Sequence, residues 1–116
     1  LQVIEADQKF SLEIRKRDEQ CVNCGSTFLL GCSHYFKRGI YATRYDPSNC
    51  ITLCQECHDV WENEKDGIYK DYMVMWLGEE GFLELKERSD IKVSPYYAIT
   101  EYMKLSKSVE VKEIEY

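Results

Sequence analysis

The sequence predicts an α+β domain: two short strands and a following helix, held between paired cysteines and flanked by an N-terminal helix and C-terminal helices. Three observations predict it. Cys21-x-x-Cys24 and Cys54-x-x-Cys57 form two short cysteine pairs about thirty residues apart. Two apolar, β-rich runs, Thr27 to Phe36 and Asn49 to Leu53, fill the interval. Apolar residues recur at helical spacing before and after it.

The cysteine pairs come first, because a small domain needs a staple. At 116 residues the chain is one domain with a modest core. Each Cys-x-x-Cys knuckle presents two thiolates from one tight turn, and two knuckles complete a tetrahedral structural zinc site. A disulfide framework or a thioredoxin-like redox motif fits these pairs less well, since neither pair sits in a strand-to-helix redox context. Cys32 and Cys50 fall outside the pairs and read as buried small hydrophobes.

Residues 1–20 read as a helix with Val3, Phe10 and Ile14 on one stripe. Its basic end, Arg15, Lys16 and Arg17, reads as solvated rather than as a phosphate contact. Residues 21–64 form the core. Gly25 closes the first knuckle, a strand ends near His34, and Lys37 to Asp46 is a loop. Asp46-Pro47-Ser48 then turns the chain into the second strand, and Gln55 to about Glu64 is a helix. Residues 65–116 are a helical extension. One helix carries Ile68, Tyr69, Tyr72, Met73 and Trp76 and ends at Gly78, and a short piece to Glu87 buries Phe82 and Leu85. Ser94 and Pro95 open a last helix with Ile99, Tyr102 and Met103 inward. The charged tail from Ser106 reads as loosely held.

The net charge of −6 argues against a nucleic-acid partner until its distribution is considered. Residues 1–58 carry seven basic and seven acidic residues, whereas 59–116 carry eight against fourteen. Between Cys32 and Tyr45 lie Lys37, Arg38 and Arg44 and no acid. Such a local patch beside a site meets phosphates, with Tyr35, Tyr41 and Tyr45 interleaved to pack on sugar or base faces. No stretch reads as a membrane span or signal segment, so an intracellular, cytoplasmic location is expected. The chain opens on Leu1 rather than Met, so further N-terminal sequence is expected.

Both histidines of the chain, His34 and His58, lie within or against the cysteine frame, with Asn49 between them. Hydrolysis of a phosphodiester needs a base, a cation and a group that fixes the base. His34 suits the base, His58 suits a divalent-metal ligand, and the Asn49 amide suits bonding to the backbone around His34.

The runs S-H-Y, N-C-I-T-L-C-Q-E-C-H and R-K-R-D-E-Q-C-V-N-C-G resemble the HNH nucleases of ββα-metal fold, and most nearly the zinc-containing phage recombination nucleases of the NinG and endonuclease VII kind. The likeness spans about residues 15–64, with a NinG-like continuation from Tyr69 to Leu85. It implies DNA cleavage with one catalytic Mg²⁺ or Mn²⁺ ion, leaving a 5′-phosphate and a 3′-hydroxyl. His34 then matches the general base, Asn49 the middle Asn, His58 the helix metal ligand, and Cys21, Cys24, Cys54 and Cys57 the structural zinc ligands. Many relatives place a good ligand directly before the base, where this chain has Ser33. Glu62, one turn after His58, is a candidate helper. Cutting both strands requires two sites, which makes a homodimer through the C-terminal helices attractive. The alternative reading is a zinc-stapled DNA-binding or protein-interaction module that has lost catalysis.

Overall fold

The computed structural model describes residues 2–63 and 67–114, with side chains described as far as Ser106. Helix α1 (Gln2–Asp18) buries Ala6, Phe10 and Ile14, an i, i+4 stripe that leaves Val3 only half-buried. Its three last-turn basic residues complement the helix dipole. Arg17 is not simply solvated. Its guanidinium donates to the carbonyls of Pro47 (2.9 Å) and Cys50 (2.7 Å) and lies 5.0 Å over the Trp76 ring, tying α1 to distant segments.

After the first knuckle the chain enters strand β1 (Leu30–His34), which pairs antiparallel with β2 (Cys50–Cys54). Strand β1 is shorter than the Thr27–Phe36 run expected. The Ser26 hydroxyl accepts from the Phe28 amide (3.1 Å), and Leu29 has a φ of 53°, so extended pairing cannot begin before Leu30. The connection between the strands, expected as a plain loop, contains a helical turn α2 (Tyr41–Arg44). The Asp46-Pro47-Ser48 turn is present as a 3-10 turn over Pro47–Asn49, with Asp46 accepting from the Ser48 amide at 2.9 Å.

Strand β2 is buried throughout and runs straight into α3 (Gln55–Asn63). Glu64, expected as the end of that helix, lies outside the described residues. Helix α4 (Ile68–Ser89) contains the break expected at Gly78, whose φ of 79° and ψ of 162° are not helical. Stretches 68–77 and 79–89 are therefore two helical pieces meeting at this kink, as expected. Helix α5 (Pro95–Ile114) is capped by Ser94, whose hydroxyl accepts from the Tyr97 amide at 3.1 Å. Ser106 itself is buried and its hydroxyl accepts from the Lys9 ammonium at 3.2 Å; the rest of the tail expected to be loosely held lies outside the residues whose side chains are described. Among the described residues no helix is long and apolar enough to cross a membrane.

The two-stranded sheet separates two cores. In the register Cys32↔Thr52 and His34↔Cys50, alternate residues face opposite sides. Ile51 and Leu53 pack with Trp61, Tyr69, Met73, Phe82 and Leu85 from α3 and α4. Cys50 packs with Ala6, Phe10, Ile14 and Tyr102 from α1 and α5. Each fully buried large side chain contributes about 2 kcal/mol.

Candidate functional site

The two knuckles meet. The sulfurs of Cys21, Cys24, Cys54 and Cys57 all lie within 4.8 Å of one another, and those of Cys24 and Cys54 are 3.7 Å apart. Zinc–sulfur bonds of about 2.3 Å in a tetrahedron place sulfurs about 3.8 Å apart, so the tetrad is compatible with structural zinc binding. The knuckle favours a thiolate at Cys21, whereas the Ser26 amide at Cys24 and the Asn23 amide at Cys57 are outweighed by hydrogen bonds among the four sulfurs, with burial adding at Cys57, and those two thiols are pushed up. Gly25 adopts a φ of 80°, and its amide bonds the Cys21 carbonyl at 2.9 Å. Burial pushes the Cys21 thiol up, but backbone N–H groups of Cys24, Cys54 and Asn23 outweigh it and bring it down to about 6. The Asn23 amide donates to Cys57 Sγ at 3.3 Å. Contrary to expectation, the second pair does lie at a strand-to-helix junction, with Cys54 ending β2 and Cys57 on α3, so an ion there fastens the knuckle to that junction.

His34 is the last residue of β1. Its Nε2 is 2.8 Å from the Arg44 carbonyl, which only accepts; Nε2 therefore carries the proton and Nδ1 the lone pair. Nδ1 is buried and has no hydrogen-bond partner among the described residues. Burial, with the nearby charges of Arg38 and Arg44, lowers the imidazole pKa against the opposing pull of the Arg44 carbonyl. The ring is thus neutral at neutral pH.

Asn49 is fully buried. Its Oδ1 accepts from the Phe36 amide (2.8 Å), and its Nδ2 donates to the carbonyls of Phe36 (3.0 Å) and Thr43 (3.1 Å). It joins the exit of β1 to α2, next to the carbonyl that holds His34. Asn49 does not open onto the cleft.

That cleft, of about 460 Å³, is lined by His34, Lys37, Arg38, Gln55, His58 and Glu62 together with residues of β1. His58 Nε2 is 3.3 Å from Glu62 Oε1, one helical turn on. Ser33 points elsewhere: it is buried, with its hydroxyl 2.8 Å from the Tyr69 hydroxyl. Lys37 and Arg38 are exposed at the cleft, whereas Arg44 does not line it. Arg44 forms a two-point pair with Asp7 (2.6 and 3.0 Å), and Asp7 also receives Arg38 (2.6 Å) and the Tyr45 hydroxyl (3.0 Å). The tyrosines expected beside phosphates are packing groups at two positions. Tyr35 sits edge-on to Phe36, Tyr69 and Phe82, and Tyr45 stacks on Tyr102 at 4.8 Å. Tyr41 lies under the Arg44 guanidinium at 4.8 Å.

Asp7 escaped the sequence reading, because its partners lie 31 to 38 residues away and no local pattern marks it. Its carboxyl is raised by burial, but hydrogen bonds from Arg44, Tyr45 and Arg38 outweigh this and hold it below the usual 3.8. A depressed carboxylate contributes stability that is complete above its unfolded pKa and is lost as pH falls through the lower folded value. Asp7→Asn is therefore expected to cost about 2 kcal/mol at pH 7 and to flatten the acid limb below pH 3.8 in denaturant melts. A variant as stable as the parent would remove Asp7 as the anchor of the loop.

No protein family, curated protein or solved structure matches the chain.

Proposed function

We propose that the chain is a metal-dependent HNH endonuclease that hydrolyses DNA phosphodiester bonds, of the phage recombination type. The supporting observation is one cleft: His34, with one nitrogen committed to the Arg44 carbonyl and a lone pair on the other, shares it with the His58–Glu62 pair. Nitrogen and carboxylate donors one turn apart fit a divalent ion that keeps several waters and takes the rest of its shell from phosphate. Such an ion supplies positive charge for the phosphoryl and leaving oxygens. His34 Nδ1 takes the proton of the attacking water, and the Arg44 carbonyl holds the ring through Nε2–H. Asn49 fixes the backbone on both sides of that arrangement. Lys37 and Arg38 bring positive charge to the DNA backbone. Double-strand cutting needs a second site, and exposed Tyr96, Tyr97 and Leu105 on α5 favour a homodimer there.

The test is cleavage of supercoiled plasmid and of a synthetic four-way junction by zinc-loaded protein. Nicked or linear product is expected with Mg²⁺ or Mn²⁺ and none with EDTA. Intact substrates under every ion overturn the reading. The non-catalytic zinc module is the second reading, favoured by Ser33 being committed to Tyr69 and by the burial of His34 Nδ1. DNA retardation without cutting, weakened by Lys37→Ala and Arg38→Ala, is the result that selects it.

A further inference from the structure

We infer that Cys32, His34 and Cys50 form a second metal site, for a thiophilic divalent ion such as zinc, which engages the lone pair of His34. Cys50 stands directly across from His34 in the sheet register, and Cys32 lies two residues before His34 on the same face. Their two sulfurs and a ring nitrogen of His34 lie within 4.8 Å of one another. Two thiolates and one imidazole are a standard zinc donor set, with a fourth position for water.

Three further features favour a ligand at this point. A histidine that binds metal through one nitrogen is generally oriented by a hydrogen bond from the other to a carbonyl or carboxylate, and Nε2 of His34 has the Arg44 carbonyl. Nδ1 is a buried acceptor with no partner among the described residues, an arrangement that is costly unless something occupies the lone pair. A divalent ion with two thiolates sums to zero charge, which suits a place beside Phe10, whose ring centre is 5.9 Å from that of His34. An entry path exists, because Cys32 and His34 line both the 460 Å³ cleft and a neighbouring one of about 270 Å³.

The consequence rests on the nuclease reading. An ion bound to Nδ1 removes the lone pair that accepts the water proton, so zinc that fills the four-cysteine site supports the fold and zinc beyond it inhibits.

The experiment titrates Co²⁺ into metal-free full chain, reduced with a phosphine, and follows sulfur-to-cobalt charge-transfer absorbance without DNA. Two equivalents per chain are expected for the parent and one for Cys32→Ser. Should Cys32→Ser lose its helical circular dichroism, His34→Gln replaces it with the same expectation. A parent that stops at one equivalent, or a second equivalent that survives in the folded variant, overturns the site. In the cleavage assay, excess zinc is expected to slow the parent at least tenfold and to spare Cys32→Ser. Equal inhibition of both overturns the regulatory role. A chain that takes two equivalents and cuts nothing supports the metal site and sinks only the nuclease reading.

Discussion

His34→Ala is expected to lower DNA cleavage about a thousandfold while leaving the zinc of the four-cysteine site and far-ultraviolet circular dichroism unchanged. A positioned general base is worth roughly 10² to 10⁴ in rate, and among the described residues of the cleft no other neutral imidazole has one nitrogen fixed by a carbonyl and the other free. The truncation leaves the Arg44 carbonyl without its partner and removes the ring that packs beside Phe10, a loss of about 2 kcal/mol that the fold is expected to survive. His34→Gln tests orientation apart from basicity, since a glutamine amide can still donate to that carbonyl but accepts no proton at neutral pH. Both variants are expected to be equally inactive. Cleavage within threefold of the parent in either would assign the base elsewhere.

The second large effect is on stability. Cys54→Ser is expected to abolish zinc at the four-cysteine site and lower the melting temperature by about 20 °C, and stripping the metal with a strong chelator is expected to do the same to the parent. Structural zinc carries on the order of 10 kcal/mol of folding free energy in small domains, of which a chain with its own apolar core loses a part. Each kcal/mol moves the melting point of a chain this size by about 4 to 6 °C. The loss reaches the core directly, because Cys21 and Cys54 pack in the same cluster as Ile51, Leu53 and Trp61. A melting point within about 3 °C of the parent, measured by calorimetry, would show that the tetrad does not hold the fold together.

What could be read from the sequence was local. The knuckles were legible because Cys-x-x-Cys spacing fixes its own turn, and the α1 and α4 stripes because helical periodicity repeats within a few residues. The break at Gly78 and the cap at Ser94 were legible for the same reason. The partners were not. Arg44 looked like a phosphate ligand among basic neighbours, and nothing nearby in sequence revealed that Asp7, 37 residues back, occupies it. Tyr35 and Tyr45 have one composition whether they stack on bases or on other rings, and only the fold brings Phe82 and Tyr102 against them. Ser33 stands where many of the resembling nucleases place a ligand, while its actual partner, the Tyr69 hydroxyl, lies 36 residues on.

The sheet has only two strands, and each face is covered by a different part of the chain. A hairpin of that size is marginal in water by itself, so His34 owes its position in part to α1, α4 and α5, which do not line the cleft. Tyr102 braces Phe10 and Tyr45 from behind, and its hydroxyl donates to Glu13 at 2.8 Å. Residues 21–64 are therefore not a portable cassette. Grafted alone into another protein, that segment would carry its cysteines and histidines along but leave behind the two walls that give them their geometry.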